Sequence, residues 1–192
     1  MPIPTIETER LRLRAFRDGD REPFAELNAD REVMELFPAV LSRRESDAFL
    51  DRILRRWDED GHGLWAIELK TDGAFFGFAG LATHRFEAHF MPAVEVGWRL
   101  ARHAWGFGYA TEAGAAALRY GFETLGLEEI VSFTTVANAR SRRVMERLGM
   151  TRDPADDFDH PNLPVGHPIR PHVLYRLPKA AWLAGQVNGA AG

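Results

Sequence analysis

The stretch from Trp98 to Ala113, WRLARHAWGFGYATEA, constrains this chain more than any other. An alternating run, Val94 to Leu100, reads as a strand, and an Ala-rich run beginning near Gly108 reads as a helix. Between them lie Trp105, Gly106, Phe107, Gly108, Tyr109, Ala110 and Thr111. Glycines let a backbone turn sharply and approach a ligand, and the first amides of a helix have no partners within it and carry the positive end of its dipole. A strand, a glycine turn and a helix in this order make a place for a phosphate or pyrophosphate. Two familiar phosphate loops do not match. Gly108 is followed by Tyr109 and Ala110 where a P-loop needs Lys and then Ser or Thr, and the third glycine of a dinucleotide fingerprint is missing.

About thirty residues further on comes Thr135-Val136-Ala137-Asn138-Ala139-Arg140-Ser141, followed by Leu148-Gly149-Met150. Taken with the loop, these residues resemble the GNAT acyltransferase superfamily, most closely its branch of ribosomal-protein N-terminal acetyltransferases. That family's Gln/Arg-x-x-Gly-x-Gly/Ala loop falls on His103 to Gly108, and its Asn-x-x-Ser marker falls on Asn138 and Ser141. The resemblance spans about residues 8 to 178. It implies an α/β (α+β) fold: a mixed, twisted sheet of six or seven strands, flanked by about four helices and splayed between the strands holding Glu95 and Ser132.

The resemblance also implies acetyl-CoA as co-substrate, with the pantetheine pairing along Val96, Trp98 and Leu100. The pyrophosphate would meet the amides of Trp105, Gly106, Phe107, Gly108, Tyr109, Ala110 and Thr111. Asn138 would bond the pantetheine, Ser141 would face the thioester sulfur, and Arg142 would reach the 3'-phosphate. Two positions depart from the pattern. His103 stands where Gln or Arg is usual, and Met145 stands where many relatives carry the Tyr that protonates the departing thiolate. Ser141 is the nearest replacement for that acid.

Acyl transfer to nitrogen needs a neutral amine. A protein α-amine has a reference pKa of about 8 and a lysine amine one near 10.4, so a base is needed more for the second. Glu95 alternates with the apolar residues of its strand and shares a face with Gly97, which makes it the candidate general base. The plainer reading of Glu95 is an ion pair with an arginine such as Arg99. Asp157 and His160 are candidates for holding a cationic amine. The Asp and His residues between 156 and 172 follow no recognised ligand spacing, so no metal is expected.

The rest of the chain bounds these readings. It has 192 residues, a net charge of -4 and no cysteine, so disulfides and an acyl-cysteine intermediate are excluded and direct attack in a ternary complex is expected. Its mixed charges argue against a nucleic-acid partner. With neither a leader nor a long apolar run, the sequence predicts no membrane partner and a cytoplasmic location. One domain over residues 1–192 is expected, with a frayed tail over 187–192, as a monomer or homodimer.

Further expectations are a strand over 10–17 with Leu11, Leu13 and Ala15 inward, helices near 20–28 and from Ser42, and a hairpin over 64–84. A strand is also expected over 151–158, and a last one over 170–177. Gly77 and Gly80 suggest a bulge or a ligand's close approach. The function so predicted is N-acetyl transfer to a primary amine, either a protein N-terminus or a small amine. Alternatives are a non-catalytic or weakly catalytic CoA-binding sensor, or an enzyme using a longer acyl-CoA accommodated where Gly77, Gly80 and Gly97 leave room.

Overall fold

The computed structural model describes residues 2–189. Its strands are β1 (Ile6–Glu7), β2 (Leu11–Arg14), β3 (Leu64–Leu69), β4 (Phe75–His84), β5 (Ala93–Leu100), β6 (Glu129–Thr135), β7 (Phe158–Asp159) and β8 (Pro171–Pro178). Its α-helices are α1 (Arg21–Ala29), α2 (Arg43–Asp60), α3 (Tyr109–Arg119), α4 (Ala139–Arg147) and α5 (Lys179–Gly189). The strands lie in the order β1-β2-β3-β4-β5-β6-β8-β7. The sheet therefore has one or two strands more than the six or seven expected, and the strands at its edges, β1 and β7, are only two residues long, too short to show a period. Among the described residues no helix is long and apolar enough to cross a membrane.

By its contacts the chain divides into two compact units, residues 1–82 with 97–117, and residues 83–96 with 118–192. In the first, Ser42 caps α2 as its position suggested, accepting from the Glu45 amide while the Glu45 carboxylate accepts from the Ser42 amide; Gly61 ends the helix at φ 72°. Phe24 and Leu27 of α1 pack with Leu50 and Ile53 of α2 against Phe78 of β4. The strand expected over 10–17 ends at Arg14, and Arg14 is itself buried. Its guanidinium is held by both oxygens of Asp20 and by Glu68, so the charge is satisfied out of water.

Gly77 and Gly80 are explained by the protein's own backbone. A Cβ at Gly77 would lie 2.4 Å from the Arg99 carbonyl oxygen, and one at Gly80 would lie 2.3 Å from that of Gly63. The pairing of β3 with β4 also shifts by a residue between Ile67 and Glu68, beside Gly77. Neither glycine opens room for a ligand, which removes two of the three residues on which a long acyl pocket rested. Gly80→Ala is expected to destabilise the fold by about 1–3 kcal/mol through overpacking, read as a lower denaturant midpoint.

In the second unit β6 pairs with β8 along its whole length, from Glu129↔Pro178 to Thr135↔His172, and β7 adds to β8 through Phe158↔His172. The helix expected from Gly108 to Leu125 is α-helical only to Arg119; a π turn takes over from Tyr120 to Thr124, where Phe122 packs on Trp182 of α5. The strand expected over 151–158 is reduced to a bridge at Thr151, a 3-10 turn from Pro154 to Asp156 and β7, since Pro154 cannot donate to a ladder. The tail expected to fray over 187–192 is helical to Gly189, and residues 190–192 lie outside the described residues.

Candidate functional site

In the first unit the glycine loop leaves β5 through a 3-10 turn, Arg102–Ala104, and enters α3 at Tyr109. Trp105 anchors it, donating from Nε1 to the Leu100 carbonyl at 2.8 Å. Gly106 has φ 85° and Gly108 φ 82°, a region that L side chains rarely adopt. A Cβ at Gly106 would meet nothing within 4 Å, and one at Gly108 only the Arg10 guanidinium at 3.6 Å. The glycines are therefore required by backbone conformation, and the space beside Gly106 is open. Thr111, in the first turn of α3, has a buried hydroxyl with no protein partner. These observations fit a pyrophosphate on the loop.

Sequence reasoning missed the brace on this loop. Arg10 donates to the Phe107 carbonyl at 2.9 Å, bonds both oxygens of Glu112 and lies 4.8 Å over the Tyr109 ring. Thr8 adds a 2.6 Å bond to Glu112. Burial favours the neutral form of Glu112, but the bonds from Thr8 and Arg10 outweigh it and hold the carboxyl below its usual range. Arg10 thus neutralises the one carboxylate in the first turn of α3, which would otherwise repel an anion there. No local motif marks this pairing, because its partners lie about a hundred positions apart in the chain. His103, the departure from the family loop, is exposed in an open groove of about 620 Å³ with Glu26 of α1 and Asp30 just after it.

The second unit holds Glu95. β5 and β6 run parallel, with a single register pair, Glu95↔Val131. Glu95 is partly buried and bonds His84 Nε2 through Oε2 at 2.7 Å. His84 was not singled out from sequence, since it becomes a partner only when the end of β4 meets β5. Arg99, the partner of the plainer reading, has other company: Nη1 donates to Asn28 and the guanidinium lies over Phe37 at 4.1 Å and Phe78 at 5.3 Å. Burial lowers its pKa to about 10, so it stays charged near neutrality.

Asn138 caps α4, its Oδ1 accepting from the Ser141 amide at 3.2 Å and its Nδ2 donating to Thr134 Oγ1 at 2.9 Å. The capping role is realised, and one lone pair of Oδ1 is left over. Ser141 is partly exposed in the first turn, and Met145 is 1% exposed, a core residue at the position where the resemblance implies a Tyr. Arg142 donates to the Val136 carbonyl at 3.3 Å, while its buried Nε meets no protein acceptor. Asp157 is clasped by Arg152 through both oxygens, which occupies the carboxylate and holds its pKa down. His160 lies among aromatic rings beside His84 and His172; burial pushes it down, as it does His172.

Comparison with known proteins places these features. Residues 10–151 match the acetyltransferase (GNAT) domain. The FsC-acetyl coenzyme A-N(2)-transacetylase of Aspergillus fumigatus is 30% identical, over 95% of this chain and 80% of its own. The crystal structure of an acetyltransferase from Agrobacterium tumefaciens is 30% identical and superposes with a TM-score of 0.74, covering 92% of this chain and 95% of that one. The ribosomal-protein-S5-alanine acetyltransferase of Vibrio fischeri, 17% identical, shares the fold with a TM-score of 0.72 over 94% and 99% of the two chains. Acetyl-CoA is the family's co-substrate and amines, on proteins or small molecules, are its acceptors. On the match over most of its length, the chain belongs to the GNAT family of N-acetyltransferases.

Proposed function

We propose that this protein transfers the acetyl group of acetyl-CoA to a primary amine by direct attack, with Glu95 as general base. The observation that carries the reading is the partly exposed carboxylate of Glu95, bonded at 2.7 Å to His84 at the one register pair of β5 with β6. A parallel pair that goes no further leaves main-chain groups of β5 for an extended ligand, which supports pantetheine pairing along Val96, Trp98 and Leu100.

Bound acetyl-CoA supplies an activated thioester carbonyl. The open backbone of Gly106, the Thr111 hydroxyl and the amides of Trp105 to Thr111 would hold its pyrophosphate. The unsatisfied Nε of Arg142 suits the 3'-phosphate, and the remaining lone pair of Asn138 suits a pantetheine amide. The His84 bond fixes Oε2 of Glu95 and leaves Oε1 to take the proton of the attacking amine. With Met145 in the core, the Ser141 hydroxyl at the start of α4 is assigned the proton for the departing sulfur. Together these steps give an N-acetyl amide and free CoA.

The test is thermal unfolding with acetyl-CoA, CoA, longer acyl-CoAs, ATP and NAD. A ligand bound only to the folded state at about 100 times its Kd adds about 2.7 kcal/mol. The expected result is selective stabilisation by CoA species, followed by thiol release when an amine is added. Stabilisation without thiol release for any amine would instead support a CoA-binding sensor, and no response to any CoA species would overturn the reading.

A further inference from the structure

The register of the second unit gathers an aromatic surface next to Glu95. Residues paired across strands share a face, so Glu95 sits with Val131, then Phe133, His172 and Phe158 on one side of the sheet. Phe86 and Phe90, from the connection between β4 and β5, lie on the same group. Phe133 is at its centre, 5.3 Å from His84, 5.8 Å from Phe86, 6.1 Å from Phe90 and 5.6 Å from Phe158.

The aromatic cluster of the first unit is built on buried rings: Phe24 and Phe78 are 0% and 5% exposed, with the partly exposed Phe16, Phe49 and Phe75 packed against them. Phe86, Phe90, Phe133 and Phe158, with His84, His160 and His172, are all partly exposed. The charges around them are arranged unevenly. Burial disfavours the cationic forms of His160 and His172, and Arg176, 5.9 Å over Phe90, is bound by Asp156 and Glu129. Glu95 therefore gives this face a carboxylate that an arriving ammonium can meet and that would repel an acceptor's own carboxylate. Rings left open to water next to such a group suit a ligand with a flat apolar body and a cationic end.

We propose that this face is the acceptor site, and that it takes an amine carried on an aromatic body with no carboxylate beside the nitrogen, whether an arylalkylamine or the first residue of a peptide. The inference rests on Glu95 being the base. It goes further by naming what the acceptor carries and which residues read it: Phe86 and Phe133 stack on the body, and Glu95 meets the nitrogen.

The experiment measures thiol release at saturating acetyl-CoA with 2-phenylethylamine, phenylalaninamide as the stand-in for a peptide N-terminus, phenylalanine, n-butylamine and putrescine. One of the first two is expected to exceed butylamine and putrescine in kcat/KM by at least about tenfold, and which of them leads separates a free amine from a peptide. Phenylalanine should fall about tenfold below phenylalaninamide. Phe133→Leu and Phe86→Ala should raise KM for the aromatic acceptor by roughly five- to tenfold, a larger rise than for butylamine. The affinity for acetyl-CoA, read by calorimetry, should not move.

A preference for butylamine or putrescine, or an equal loss for all amines in Phe133→Leu, would overturn the proposal. Should no amine turn over, calorimetry of 2-phenylethylamine with the CoA-bound protein decides: no binding, or binding unchanged in Phe133→Leu, overturns it. Acetyl-CoA failing to bind at all would instead sink the acetyltransferase reading, and the same calorimetry without CoA would still judge the aromatic site.

Discussion

Glu95→Gln is expected to lower kcat by about 10²- to 10⁴-fold, the usual contribution of a positioned base, while the Kd for acetyl-CoA stays within about twofold. The substitution keeps the shape of the side chain and can still accept from His84, whose Nε2 lies 2.7 Å from Glu95 Oε2, so the strand should be undisturbed. What it removes is the ability to take a proton. The loss should depend on the acceptor: larger for an alkylamine of pKa near 10.4 than for an α-amine near 8, because more of the second is already neutral in solution. Parallel rate measurements with the two amine classes would show this. An equal loss for both, or a matching loss of acetyl-CoA affinity, would make the carboxylate a structural group.

Gly106→Val should raise the Kd for CoA by at least about a hundredfold while leaving a folded protein, as seen by calorimetry alongside circular dichroism. Two effects act together. At φ 85° a β-branched residue is strained, at a cost of about 1–2 kcal/mol that appears as a fall of a few degrees in Tm. The side chain would also enter space in which even a Cβ meets nothing within 4 Å, the space assigned to the pyrophosphate. An unchanged CoA affinity would remove the loop from the reading and leave it a connection between β5 and α3.

Much of this could be read from residues close in sequence. The Ser42 to Glu45 cap, the hairpin turn before Ala74 and the strand-loop-helix around Gly106 are set by spacings of a few residues, and the structure keeps each of them. Where the structure differs from expectation, contacts between separate elements are the reason. Arg14 looked outward by alternation, yet Asp20 and Glu68 enclose it. The plainer reading of Glu95 gives it Arg99, four residues on in its own strand, whereas its bond is to His84 at the end of a neighbouring one. Phe86, Phe90, Phe133 and Phe158 carry no motif, and only the register of β6, β7 and β8 gathers them. The π turn at Tyr120 and the helix after Pro178 were missed for another reason: Gly121 and Phe122 extend the spacing of Ala113, Ala117 and Leu118 into the first, and the second has a weak apolar stripe.

The brace formed by Thr8 and Arg10 has a consequence for how the protein is made. These residues leave the ribosome before Glu112 and the Phe107 carbonyl, which they bind and which follow about a hundred residues later. At about 5–20 residues per second the N-terminal segment waits several seconds or more for its partners. The braced glycine loop is therefore completed late, by closing a long stretch of chain, and not at the moment its glycines emerge. A tag or truncation that reaches Thr8 should slow the recovery of CoA binding during refolding more than it slows the return of helical signal.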